Sequence, residues 1–76
     1  MAVAFTIRGD EAAQVWQVYG GEQLSYHSSM LIKEFPYGND QYAAFDAAKR
    51  FGDSWAIDYS IEHNLHVRHP SFQPSA

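Results

Sequence analysis

Residues 39–69 read NDQYAAFDAAKRFGDSWAIDYSIEHNLHVRH, and where the helix inside them stops decides the fold. Asn39 or Asp40 is placed to cap that helix. Ala44, Phe45, Ala48 and Phe51 fall along one side at helical spacing. Asp40 at the start and Lys49 and Arg50 near the end suit the helix dipole. Gly52 is a natural left-handed stop, so the spacing predicts a helix from about residue 40 to Phe51. From Ala56 onward the period becomes two: Ile57, Tyr59, Ile61, Leu65 and Val67 alternate with Asp58, Ser60, Glu62, His66 and Arg68. A hairpin with the loop Glu62-His63-Asn64 pairs Ile61 with Leu65 and Tyr59 with Val67. It also puts Asn64, which tolerates a left-handed backbone, where such a loop needs one. Pro70 to Ala76 reads as a loose tail.

Upstream of the helix the patterns are those of a sheet. Val3, Phe5 and Ile7 point one way and Ala4, Thr6 and Arg8 the other, as in a half-buried strand that Gly9-Asp10 ends. Residues 10–19 admit two readings. Asp10 can cap a helix with the stripe Ala12, Val15, Trp16 and Tyr19. Alternatively, Val15 to Tyr19 is a strand running into a hairpin at Gly20-Gly21. A loop of Gly20 to Glu22 sets Val18 opposite Leu24 and Trp16 opposite Tyr26, which makes one apolar face and favours the hairpin. Its second arm runs through Met30, Leu31 and Ile32 to Phe35, with a bulge at Ser28-Ser29, before Pro36 and Gly38 end it. The expected fold is therefore α+β: a small antiparallel β-sheet, about five strands in hairpins, packed against one α-helix in a single domain spanning 1–76.

Composition bounds the function. Five Phe, five Tyr and two Trp fill a core that no disulfide can staple, because the chain has no cysteine. That absence fits a reducing compartment, and no stretch is long and apolar enough to cross a membrane. Met1 to Arg8 lacks the basic region and apolar run of a signal peptide. A cytoplasmic location follows as the expectation. Nine acids against five bases leave a net charge of −4, which argues against direct nucleic-acid binding and for a partner with a basic surface.

The candidate chemical sites are weak ones. His63, His66 and His69 have the residue type for a zinc site, but on a strand His66 opposes the other two, so no metal or cofactor is expected. His27-Ser28-Ser29 puts a base beside two hydroxyls without an orienting group or oxyanion hole, so no catalytic set is expected. Gly20-Gly21 lacks the strand–loop–helix setting of a phosphate cradle. Lys33, Lys49, Arg50 and Arg68 would have to converge on one face to track phosphates, and their spacing spreads them. Phe35-Pro36-Tyr37-Gly38-Asn39 places Tyr37 in a connecting turn, either as an interface aromatic or as a lid on the core. Glu22, Glu34, Tyr37 and Asp40, at turns and strand ends, form the expected contact set.

In size, charge and element order the chain resembles the small phage-borne inhibitors of bacterial defence, such as anti-CRISPR proteins. The resemblance rests on build over most of the chain and on no diagnostic residue, so it transfers no site. It implies a non-enzymatic protein that occupies a surface of a larger nucleic-acid-handling complex. A small sheet-plus-helix nucleic-acid-binding domain and a histidine-based metal module are the alternatives. A free sheet edge would also permit a homodimer, unless Lys33, Glu34 and Arg68 guard it.

Overall fold

The computed structural model describes residues 2–22, 30–67 and 71–73, with the side chains of Glu22 and of residues 71–73 left aside. Strands β1 (Ala2–Asp10), β2 (Val15–Glu22) and β3 (Met30–Pro36) precede helix α1 (Gln41–His63), and the short strands β4 (His66–Val67) and β5 (Ser71–Gln73) follow it. The fold is α+β, with one helix on one face of the sheet.

The sheet order is β3-β2-β1-β4, with β5 also beside β1. β1 pairs antiparallel with β2, from Val3↔Glu22 to Asp10↔Val15. β4 and β5 lie along the other edge of β1 and run parallel to it, in registers that differ by one residue (Ala2↔His66 but Thr6↔Ser71). They make one strand position in two pieces, so the sheet has four positions rather than five and is mixed rather than antiparallel. Ser71–Gln73 belongs to the sheet, not to a loose tail.

Residues 10–19 take the strand reading, but the hairpin turns elsewhere. Asp10 Oδ1 accepts from the Ala13 amide at 3.1 Å, and Gln14 closes the turn in the left-handed region at φ 58°. Gly20 and Gly21 lie inside β2 rather than in a turn. A Cβ on Gly20 would sit 2.6 Å from the Trp55 ring and 2.8 Å from Ile32, so this glycine makes room for the helix. Consequently β2 pairs with residues 30–36, setting Trp16 opposite Phe35. The expected partners Leu24 and Tyr26, and the bulge at Ser28-Ser29, lie outside the described residues. A register shift does occur between Val18 and Tyr19, where Ile32 is the extra residue of β3.

The largest correction concerns the helix. Asp40 caps it as expected, accepting from the Tyr42 and Ala43 amides at 3.0 Å each. It then runs through Gly52 to His63 and leaves no hairpin at 57–67. Ala48, Gly52 and Ala56 are its buried residues, four apart, and a Cβ on Gly52 would run into the Phe5 ring. Gly52 is thus where the helix meets β1, not where it ends. The alternation from Ile57 to Ile61 comes from two helical faces: Tyr59 packs between Trp55 and His63, while Ile57 and Ile61 face solvent. Asn64 is left-handed (φ 54°), but as a helix cap: the Leu65 amide bonds back to the Ser60 carbonyl at 2.9 Å.

Phe5, Ile7, Trp16, Val18 and Tyr37 form the core with Ala48 and Ala56, backed by Phe35, Ala44, Phe45, Phe51 and Trp55. Trp16 is its hub, with ring centroids 5.0 Å from Phe45 and 5.2 Å from Tyr37. Its indole N–H donates to the Gln41 carbonyl at 2.9 Å and ties the sheet to the first turn of α1.

Candidate functional site

The expected contact residues do not come together. Tyr37 is only 5% exposed, so it closes the core and presents no ring to a partner. The turn that was to hold it outside is itself pinned, because the Tyr37 amide donates to the Gln14 carbonyl at 2.8 Å. The Tyr37 hydroxyl is sealed from solvent without a well-formed hydrogen bond. Burial raises its pKa above the ordinary 10.0, the carboxylates of Glu11 and Asp10 add to the rise, and the Gln41 side chain opposes it. Asp40 is exposed but committed to its cap. Glu22 pairs with Val3 at the far end of β2, about 23 Å from Val15 at roughly 3.3 Å per residue. Glu34 alone of the four lies on open sheet, where it accepts from Gln17 Nε2 at 3.1 Å.

That open sheet is the better candidate. The helix takes the face of Phe5, Ile7, Trp16 and Val18, and α1 is the only helix among the described residues. The registers line up two rows on the opposite face. Arg8, Gln17 and Glu34 form one, and Thr6, Tyr19 and Leu31 the next. The Tyr19 hydroxyl donates to Gln17 Oε1 at 3.1 Å, and Gln17 donates onward to Glu34, so the polar row holds the aromatic ring in place. Leu31 is exposed and Tyr19 half-buried. The result is a polar row, Arg8, Gln17 and Glu34, beside a row of Thr6, Tyr19 and Leu31.

No protein-family model, curated protein or solved structure matches the chain.

The remaining sequence candidates scatter. His63 stacks on Tyr59 at 4.1 Å in the last turn of α1, His66 is in β4, and His69 lies outside the described residues. Among the described residues no three His, Asp or Glu side chains are grouped to hold a metal ion. His27, Ser28 and Ser29 also fall outside the described residues. Lys33 lies over the rings of Phe35 and Phe51, 5.2 Å from each centroid. Arg50 pairs with Asp46 at 3.0 Å on the solvent side of α1, and Arg68 is outside the described residues. Arg8 is on the far side of the sheet from the helix, so the described bases build no common phosphate track. No described helix is long and apolar enough to cross a membrane.

The sequence carried a signal for the open face: Val15, Gln17 and Tyr19 alternate with Trp16 and Val18. Choosing the wrong turn hid which residues of β3 complete it.

Proposed function

We propose that the chain is a non-catalytic protein-binding module that docks through the face of its sheet opposite α1. The observation that carries this is the pair of rows Arg8–Gln17–Glu34 and Thr6–Tyr19–Leu31 on the side of the sheet away from α1, where Arg8, Leu31 and Glu34 are exposed. A tyrosine and a leucine beside a row of polar groups fit the mixed apolar and polar make-up of a protein interface. Tyrosine concentrates binding energy in such patches. The net charge of −4 supports a partner with a basic surface, since opposite charge speeds encounter. A basic surface that normally receives nucleic acid fits that description, and the reading extends to an inhibitor of the anti-CRISPR kind that blocks it.

The test is recovery of a partner from a bacterial host with the wild-type chain, Tyr19→Ala and Leu31→Asp as baits. Circular dichroism first establishes that both variants fold. The reading expects a protein retained by the wild type and lost by both variants. No partner, or one retained equally by all three baits, contradicts it.

A further inference from the structure

Arg8, Gln17 and Glu34 stand side by side across β1, β2 and β3, because Arg8 pairs with Gln17 and Gln17 with Glu34. Two strand spacings put the backbones of the end residues about 10 Å apart. Gln17 lies between them and donates to Glu34 at 3.1 Å, while Arg8 has no acid partner among the described residues. Both charges are exposed on the side of the sheet away from α1. A second copy carries the same two charges at the same spacing. We propose that two copies associate face to face through this side of the sheet, with Arg8 of each over Glu34 of the other.

The charges select one geometry. In a symmetric face-to-face pair the two-fold axis lies in the plane between the sheets, and only one such axis exchanges the positions of Arg8 and Glu34. It is the perpendicular bisector of their row, which runs along β2 through Gln17. An axis across the strands would keep Arg8 over β1 and Glu34 over β3 of the second copy, so opposite charges would never meet. An axis along β1 or β3 would set Arg8 on Arg8 or Glu34 on Glu34. With the axis on β2, the registers fix the remaining contacts. Gln17 and Tyr19 meet their own copies, and Thr6 comes over Leu31. Gln17 keeps one N–H and one lone pair for its counterpart after its bonds to Glu34 and Tyr19. The two Tyr19 rings can stack with an offset. In the next row Asp10 comes over Pro36, so no like charges meet in the described rows. Sheets stacked about 10 Å apart are within reach of both Arg8–Glu34 pairs.

Such a dimer covers Tyr19 and Leu31. It would mask the face through which the chain is proposed to dock, and a partner would have to displace the second copy. That regulatory consequence rests on the docking reading; the association itself does not.

The test uses the full chain. Sedimentation velocity up to roughly millimolar protein is expected to show growth from 8.6 kDa toward twice that mass. Arg8→Glu and Glu34→Arg change exposed positions, so circular dichroism should show both variants folded. Each alone sets like charges against each other twice, and association should weaken by roughly tenfold or more. An equimolar mixture of the two variants should associate again, because every charge then meets its opposite, and so should the double variant. Rescue by mixing cannot come from repair within one chain. Material of 8.6 kDa at every concentration overturns the proposal. So does a dimer that neither swap weakens, or a pair of weakened variants that mixing fails to restore. A wild-type chain that stays monomeric yet retains a partner through Tyr19 ends this proposal alone. A dimer that retains no partner ends the docking reading alone.

Discussion

Replacing Gly52 by alanine sets two effects of known size against each other. In a helix interior alanine is favoured over glycine by about 1 kcal/mol. Here the added methyl enters space held by the Phe5 ring, whose own exposure is 2%. Ile7 and Val18, both fully buried, belong to the same cluster, so the ring has little room to yield. Overpacking of this kind costs about 1–3 kcal/mol. The net expectation is a loss of up to about 2 kcal/mol, or up to roughly 15 °C in melting temperature for a domain this small. The assay is urea unfolding followed by tryptophan fluorescence, repeated in a Phe5→Leu background. With the ring removed the methyl should fit, and Gly52→Ala should become neutral or stabilising, a coupling of about 1 kcal/mol or more. A helix ending at Gly52 in a left-handed conformation would also make alanine costly, but equally so in both backgrounds. Equal costs, or a plain gain in the wild-type background, would refute the close approach of α1 to β1.

Asp40→Ala should cost about 0.5–2 kcal/mol in thermal or urea unfolding, because two amides of the first turn lose their acceptor. Tyr37→Ala should cost about 3–5 kcal/mol in the same assay, the range for truncating a large core aromatic, whereas an interface tyrosine would leave stability unchanged. Tyr37→Phe removes a sealed hydroxyl without a well-formed hydrogen bond and should be close to neutral at pH 7. Its effect should emerge in alkali. The folded-state pKa of Tyr37 is raised above the ordinary 10.0, so the folded protein holds a proton that the unfolded chain releases. That stabilisation is complete below about pH 10 and is lost as pH rises through the folded-state value, so wild type should lose stability more steeply than Tyr37→Phe above pH 10.

The parts of this fold legible in the sequence are those fixed by local chemistry. Val3, Phe5 and Ile7 declared their face through alternation, Asp40 declared its cap, and Asn64 declared a left-handed backbone. Two of the errors share one cause: a glycine read as punctuation when it was a contact. Gly20 and Gly52 both make room for aromatic rings, Trp55 and Phe5, that are distant in sequence. With Gly52 as a stop, Ile57, Tyr59 and Ile61 look like one face of a strand, whereas on the helix Tyr59 packs with Trp55 and His63 while Ile57 and Ile61 face solvent. The uncovered sheet patch depended on register, and register depended on a turn at Glu11–Gln14 marked by neither glycine nor proline. Tyr37 was placed outside by its position in a turn, although the turn itself is held down by Gln14.

The account of the fold and of its sheet face depends on α1 running unbroken to His63 and on the chain then returning parallel to β1. Backbone chemical shifts together with inter-strand nuclear Overhauser contacts measure both at once. Helical shifts are expected from Gln41 through His63 without a break at Gly52, with contacts joining Ala2 to His66 and Ile7 to Phe72 in parallel register. Helical shifts ending at Phe51, with Tyr59 facing Val67 across an antiparallel hairpin, would contradict the fold and the placing of α1 on one face of the sheet.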